Sequence, residues 1–351
     1  MRQFLLPFIL APFTVIAQSL VDQLPHDRTV VLEEFTAINC GNCPAGHADA
    51  AAIEVAHPGE VVLVELHAGG LAVPGAGQPD FMNTWATELL THYGVTSTPK
   101  GLVDRLPYSG LTVLTRTNWA AAVNAALALP SPVNLGMAST FDPGTRELTV
   151  QVELYYTADS PGGNDHISVL LKEDHLIGWQ SDYVNGNHTN YDHVNVLRAY
   201  LTGTWGDEVT TTAAGTTVLR TYSIIVPAGY DENNCSVVAH VGEYQGELYM
   251  AKAVAAVGGS TVGVVEGGTV PDEFAIWPQP ASDQMNIAFA PGDGNTRIIV
   301  RDIAGRMMID APVANVDRSM TIDVRNWPTG VYGCALTYDH GGSSRNVIVA
   351  R

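Results

Sequence analysis

The sequence predicts a multidomain protein of class α/β plus all-β, in which one α/β segment is followed by two all-β segments. Its 351 residues exceed the content of one ordinary compact core, so two or three domains are expected. Hydrophobic residues make up 46% of the chain and charged residues 15%, which favours buried sheets over disorder. Helical periodicity is found before residue 132 and is lost after it.

Residues 1–17 are typical of a secretory signal peptide. Arg2 supplies the positive start, Phe4–Ile16 is apolar, and Ala17 ends a stretch that fits the small-residue rule for cleavage. The apolar run is short for a membrane anchor and contains two prolines. We therefore expect export and no transmembrane segment in the mature chain.

The predicted α/β domain spans residues 18–131. Strands and helices alternate in it, at Thr29–Phe35, Pro44–Val55, Val61–His67, Asn83–Tyr93, Lys100–Asp104 and Thr117–Leu129. The strands are predicted from apolar runs and the second helix from apolar residues near helical spacing. Residues 69–79 are rich in Gly and Pro and are expected to form a loop.

Residues 132–258 are predicted to form a central antiparallel β-sandwich. The predicted strands are separated by turn signals and lie at Glu147–Tyr156, His166–Leu171, Thr216–Val226, Cys235–Val241 and Leu248–Val257. Residues 259–272 are rich in Gly, Val and Thr and are expected to be a linker. Residues 273–351 contain short strand-like runs, which predict a second, small β-sandwich at the C-terminus.

The charge and the motifs of the chain argue against some partners and against a cofactor. The chain has 17 basic and 36 acidic side chains, and its formal net charge at pH 7 is −19. Such a surface repels nucleic acid and anionic membranes, so neither is expected as a partner. The sequence has no P-loop and no G-x-G-x-x-G pattern, and we expect no cofactor.

The motif Cys40-Gly-Asn-Cys43 lies between a predicted strand and a predicted helix. At the start of a helix, free N–H groups and the helix dipole stabilise a thiolate, the species that attacks a disulfide. Cys40 would be this nucleophile, and Cys43, one turn later, could resolve the mixed disulfide. Two alternatives remain open: a structural disulfide, and a metal site in which His47, with His67 or His57, joins the cysteines.

Two further sequence features accompany this motif. Glu34 lies six residues before Cys40, and Tyr93-Gly-Val-Thr-Ser-Thr-Pro99 follows the second predicted helix. Together these features resemble thioredoxin over about 100 residues. The resemblance implies a thioredoxin-like domain with a cis bond before Pro99, Glu34 as the proton partner of Cys43, and a protein disulfide as substrate.

A second resemblance covers residues 28–258. The stretch from Glu33 to Pro44 looks like the opening of the Omp28-related surface proteins of Bacteroidota. Tyr191–Arg198, followed by Gly203–Gly206, is similar to the central segment of that family. The resemblance implies an exported protein of the cell surface or outer membrane. The alternative function is a noncatalytic surface binding or structural protein that keeps the thioredoxin-like fold.

The C-terminal block begins with Ile276-Trp-Pro-Gln-Pro-Ala-Ser-Asp283 and continues through Trp327-Pro-Thr-Gly-Val-Tyr332 to a basic end at Arg351. It resembles the type A C-terminal sorting domain of the type IX secretion system. The resemblance implies contact with that machinery through residues 273–351 and passage through the outer membrane. The protein would then be surface-associated or secreted.

Four histidines and four aspartates lie loosely together in the central segment: His166, His175, His188, His193, Asp165, Asp174, Asp182 and Asp192. Surrounding Gly and Asn residues favour solvated loops over a metal site, and no metal is expected. Cys235 and Cys334 lie far apart in apolar runs and are expected to be buried thiols.

Overall fold

A computed structural model describes residues 19–259, 274–277, 281–289, 296–302, 306–313, 319–338 and 341–349. The predicted signal peptide and nearly all of the predicted linker lie outside these residues. The chain divides into two compact units, Met1–Val262 and Gly263–Arg351. Among the described residues, no helix has both the length and the apolar character needed to cross a membrane.

The first part of the larger unit is α/β, as predicted. Its elements are β1 (Val30–Thr36), α1 (Cys43–Ala56), β2 (Val61–His67), α2 (Thr84–His92), β3 (Lys100–Val103) and α3 (Arg116–Leu127). Strand β1 pairs parallel with β2 and antiparallel with β3. Every residue of β1 and β2 is buried, which explains why these strands read as mainly apolar runs instead of alternating ones.

The rest of this unit is β-rich. Its strands are β4 (Val133–Asp142), β5 (Glu147–Tyr156), β6 (Asp165–Glu173), β7 (Leu176–Gln180), β8 (His188–His193), β9 (Val196–Tyr200), β10 (Asp207–Val209), β11 (Thr217–Ile225), β12 (Cys235–Glu243) and β13 (Leu248–Ala255). Strands β4, β5 and β11 form an antiparallel three-stranded sheet. The buried residues of β5 alternate along the strand and share a hydrophobic core with β6 and β12.

The main sheet continues across residue 131, where the sequence predicts a domain boundary. Its order is β13-β12-β6-β9-β2-β1-β3, with β10 also paired to β6. Strand β9 lies parallel to β2 through the pair Glu65 and Val196, and so covers an edge that would otherwise be open. Both segments therefore contribute to one sheet, and a boundary at residue 131 stays a prediction.

The smaller unit contains two antiparallel sheets. Their strands are β14 (Phe274–Trp277), β15 (Gln284–Phe289), β16 (Thr296–Asp302), β17 (Met307–Val313), β18 (Ser319–Asp323), β19 (Gly330–Tyr338) and β20 (Gly341–Val349). One sheet has the order β14-β15-β18 and the other β17-β16-β19-β20. Residues of both, such as Ile287, Ile322, Val300 and Leu336, form one hydrophobic core, as expected for a small β-rich domain.

Candidate functional site

Cys40 and Cys43 form a disulfide at the start of α1. Their Cα atoms lie 5.4 Å apart, and Cys43 is the first residue of the helix. Both cysteines are buried: 2% of Cys40 and 0% of Cys43 is exposed. The pairing agrees with either predicted disulfide use of the motif, an exchanging one or a structural one.

The disulfide packs in a small buried cluster with Ala37 and Ala72. Residues 179–183, which we call the covering segment, lie against the C-x-x-C loop and comprise the end of β7 and the start of the β7–β8 turn. The side-chain amide of Gln180 donates to the Cys40 carbonyl over 3.0 Å, and the Tyr183 N–H donates to the Gly41 carbonyl over 2.9 Å. The covering segment thus holds the main chain of the C-x-x-C loop from outside.

The Tyr183 ring lies directly on Gly41. A Cβ atom built on Gly41 would lie 2.3 Å from Cδ1 of Tyr183, so any side chain here would displace the ring. Tyr183 nevertheless remains 76% exposed, with the rest of its ring in solvent. Glycine between the two cysteines therefore permits this close contact.

Glu34, Pro99 and α1 meet one turn after Cys43. The Thr98–Pro99 bond is cis, as predicted. A Cβ atom on Gly46 would lie 2.4 Å from Oε1 of Glu34 and 2.9 Å from Cβ of Pro99. The structure thus brings the residues singled out from sequence to one place, around the first turns of α1.

A second group of side chains, the acid–histidine cluster, lies beside Glu34. It consists of Glu34, His47, Glu65, His67 and His193, all with at most 8% exposure. Nε2 of His47 lies 4.0 Å from Oε1 of Glu34 and 3.8 Å from Oε2 of Glu65. Nε2 of His67 lies 3.8 Å from the same Glu65 oxygen, and the His193 ring centroid is 5.6 Å from that of His67.

Burial shifts the pKa values of the side chains in this cluster. Loss of hydration raises the pKa of Glu34 well above its ordinary value, and the nearby Glu65 carboxylate raises it further. Burial also raises the pKa of Glu65, although His47 opposes this. Burial lowers the pKa of His47, that of His67 to about 3 and that of His193 to about 4. These histidines are neutral at pH 7.

Sequence analysis did not identify Glu65 and Tyr191 as site residues, and it considered His193 only within the loose histidine–aspartate group. Tyr191 Oη lies 2.8 Å from Nδ1 of His47, and β8 brings both Tyr191 and His193 against the α/β part. Such contacts join residues far apart in sequence and leave no local pattern. Glu65 could have been recognised from the sequence, because it is the one charged residue in the apolar run of β2.

The metal site suggested by the C-x-x-C-His spacing is not assembled. The two cysteine sulfurs are bonded to each other, and thiolate ligands are therefore absent. His57 follows the last residue of α1, about 15 Å along the helix from His47, and pairs with Glu60 at 3.6 Å. His67 lies near His47, but with the Glu65 carboxylate between them in place of sulfur.

The loose histidine–aspartate group of the central segment is also dispersed. His188 pairs with Asp182 at 3.3 Å, and His175 pairs with Asp192 at 3.0 Å. His175 is 62% exposed at its side chain, as expected for a solvated loop residue. His193 alone of these four histidines joins the acid–histidine cluster.

Comparison with known families agrees with this architecture. The model of the family described as outer membrane protein Omp28 matches residues 86–266, more than half of the chain. The chain belongs to the Omp28 family. A second model, described as a secretion system C-terminal sorting domain, matches residues 275–350. Both matches confirm the predicted families, export to the cell surface or outer membrane, and a sorting domain that interacts with the type IX secretion machinery.

Two solved structures from Porphyromonas gingivalis are similar to this Omp28-family chain. HBP35 is 17% identical and covers 93% of this chain and 99% of its own, with a TM-score of 0.56, which shows a shared fold. A domain of the outer membrane lipoprotein Omp28 is 21% identical and covers 35% of this chain and 86% of its own, with a TM-score of 0.24. A comparison with curated proteins found no match.

Proposed function

We propose that this exported surface protein carries out thiol–disulfide exchange in a thioredoxin-like domain formed by residues 18–131. Cys40 is the nucleophile, Cys43 the resolving cysteine, Glu34 the proton partner and Pro99 the residue that shapes the site. The observation that supports this most is the meeting of Glu34 and cis-Pro99 at Gly46, one turn after the disulfide. Residues 132–258 form the β-sandwich that supports it, and residues 273–351 the sorting domain.

The exchange is a two-electron reduction of the Cys40–Cys43 disulfide. A thiolate of the reductant attacks Sγ of Cys40, the Cys40–Cys43 bond breaks, and Cys43 leaves as a thiolate. In this proposal Glu34 exchanges the proton that Cys43 takes up. A second thiol of the reductant then releases Cys40, so that one dithiol and one oxidised reductant are formed. In the opposite direction the Cys40 thiolate attacks a disulfide of the substrate.

A cavity beside the cis-proline loop supports a peptide substrate. It measures about 280 Å³ and is lined by residues 68–71 and 95–98 together with Leu90. In thioredoxin-like proteins the loop before the cis-proline offers its backbone to the bound peptide. The substrate class we propose is therefore a disulfide in an extended segment of another exported protein.

The burial of Cys40 favours a second candidate, a noncatalytic surface protein that keeps the fold. With 2% of Cys40 exposed, no protein-sized partner reaches its sulfur in this conformation. Exchange with a protein therefore requires the residues packed around the disulfide, Ala72 and Met82 among them, to move away. In the second candidate they do not move, and the disulfide is structural.

Reduction of insulin by dithiothreitol separates the two candidates. We expect the full chain to accelerate the reaction and the Cys40→Ser variant to lose that acceleration. Cys235→Ser is the matched control, because Cys235 is a free, buried thiol in β12. If the wild-type chain gives no acceleration, or Cys40→Ser retains it, the noncatalytic candidate stands.

A further inference from the structure

The acid–histidine cluster contains three potential metal ligands on the same face of neighbouring elements. Glu34 and Glu65 are direct partners on the parallel strands β1 and β2, so their side chains lie side by side. His47 approaches from α1. One ligand atom from each of these three residues lies within 4.8 Å of the other two.

Three of the four carboxylate oxygens in this set lack a hydrogen-bond partner among the described residues. Both carboxylate oxygens of Glu34 and Oε2 of Glu65 are buried and accept no hydrogen bond from the described residues. The nearby Lys172 ammonium group donates to the Leu63 carbonyl and to Asn195 instead. Buried carboxylate oxygens without donors are costly, and a bound cation would compensate those of Glu34 and Glu65 at once.

His47 is oriented for ligation. Its Nδ1 lies 2.8 Å from Tyr191 Oη, and its Nε2 lies on the side of Glu34 and Glu65, where it also contacts the Thr36 hydroxyl at 2.7 Å. With Nδ1–H donated to Tyr191, Nε2 carries no hydrogen and accepts from the Thr36 hydroxyl. A cation between Nε2 and the carboxylates would take over this lone pair from Thr36. A hydrogen bond of this kind typically holds a ligating histidine in place.

We propose that Glu34, His47 and Glu65 bind a divalent first-row transition cation. Carboxylate oxygen and imidazole nitrogen suit Zn²⁺, Mn²⁺ or Fe²⁺, and three protein ligands leave a position open. His67 is the adjacent residue that can fill it, since neither of its ring nitrogens has a hydrogen-bond partner among the described residues. The site uses no sulfur, so it is available while the disulfide is intact.

This inference is independent of the proposed exchange activity, although both use Glu34. A cation on Glu34 would displace the proton that Glu34 exchanges with Cys43. Metal binding is measured on the oxidised protein, without turnover. Failure to bind metal and failure to reduce disulfides are therefore separate results.

The test uses the full oxidised chain, freed of metal with a chelator and titrated with Zn²⁺ against a chromogenic zinc indicator. We expect one tightly bound Zn²⁺ per chain and a rise in Tm on binding. Glu65→Gln should weaken binding by at least about tenfold, the smallest effect typical for a lost partner of a metal site. His175→Gln is the matched control, because it removes an exposed histidine outside the cluster.

A second measurement needs only the wild-type protein, in case the variant does not fold. X-ray absorption at the zinc edge should show nitrogen and oxygen ligands at about 2.0–2.1 Å. Absence of stoichiometric binding, unchanged affinity in folded Glu65→Gln, or sulfur among the ligands would each overturn the proposal. Weaker zinc binding by the His175→Gln variant would indicate a site on the surface and would also overturn the proposal.

Discussion

Glu34 on β1 and Glu65 on β2 are paired neighbours in parallel strands, and both carboxyl groups lie in the protein interior. Few sheets place two acidic side chains next to each other in this way, because desolvation and mutual repulsion both oppose it. Here the pair lies beside the first turns of α1, within reach of His47. The proposed proton partner Glu34 and the proposed metal ligands thus lie together, near the disulfide.

Gly46→Ala should destabilise the protein, because α1 contacts both Glu34 and Pro99 at this residue. Overpacking of this kind costs about 1–3 kcal/mol in the free energy of unfolding. Urea denaturation measures this change in the free energy of unfolding. Gly70→Ala is the control, since no atom lies within 4 Å of a Cβ built there. Equal stability of the two variants would show that the helix can move away from Glu34 without cost.

Tyr183→Ala should make the disulfide easier to reduce, because the ring that lies on Gly41 is removed. We expect the rate of reduction by dithiothreitol to rise severalfold, as followed by labelling of the released thiols. The neighbouring Val184→Ala serves as control, because Val184 is 83% exposed. If both variants are reduced at the wild-type rate, the Tyr183 ring does not limit access to the sulfurs.

Glu33→Gln should be strongly destabilising. Glu33 and Arg105 form a bidentate pair at 2.7 and 2.8 Å, with 2% exposure of each side chain. Removal of the negative charge leaves the guanidinium buried and unpaired, at a cost of about 3–5 kcal/mol. Chemical denaturation should show this loss. The comparison is Asp49→Asn in the exposed pair with Arg116, where less than about 1 kcal/mol is expected.

Because Asp104 is buried, the free energy of unfolding of the protein should depend on pH. Burial raises its pKa to about 7, although the Val31 N–H donates to it and opposes the shift. The folded protein therefore keeps a proton that the unfolded chain releases near pH 4, and this contribution to stability is lost as pH rises to 7 and above. Between pH 5 and 8 the loss is about 2–3 kcal/mol.

Asp104→Asn keeps an acceptor for Val31 and has no proton to lose, so the variant should gain stability over wild type as pH rises from 5 to 8. Denaturation curves at several pH values test this. A difference between variant and wild type that is constant over this range would show that Asp104 does not titrate there.

Local patterns predicted the α/β part of the fold and the first members of the site. The apolar runs of β1 and β2, the position of Glu34 before Cys40 and the segment ending in Pro99 are short-range signals. Contacts between distant residues were not predictable in this way. The pairing of β2 with β9 and the approach of Tyr191 to His47 depend on how strands meet in space. The covering segment was missed for the same reason.

The continuation of the main sheet beyond residue 131 has a practical consequence for anyone who isolates the segment that carries the disulfide. A fragment ending at residue 131 would lose β9, leave the hydrogen-bonding groups of β2 open, and uncover apolar side chains such as Leu66. Arg28 would also lose its bonds to Glu247 and to the Leu248 carbonyl. Such a fragment would tend to aggregate, whereas expression through residue 259 keeps the strand neighbours of β2 together.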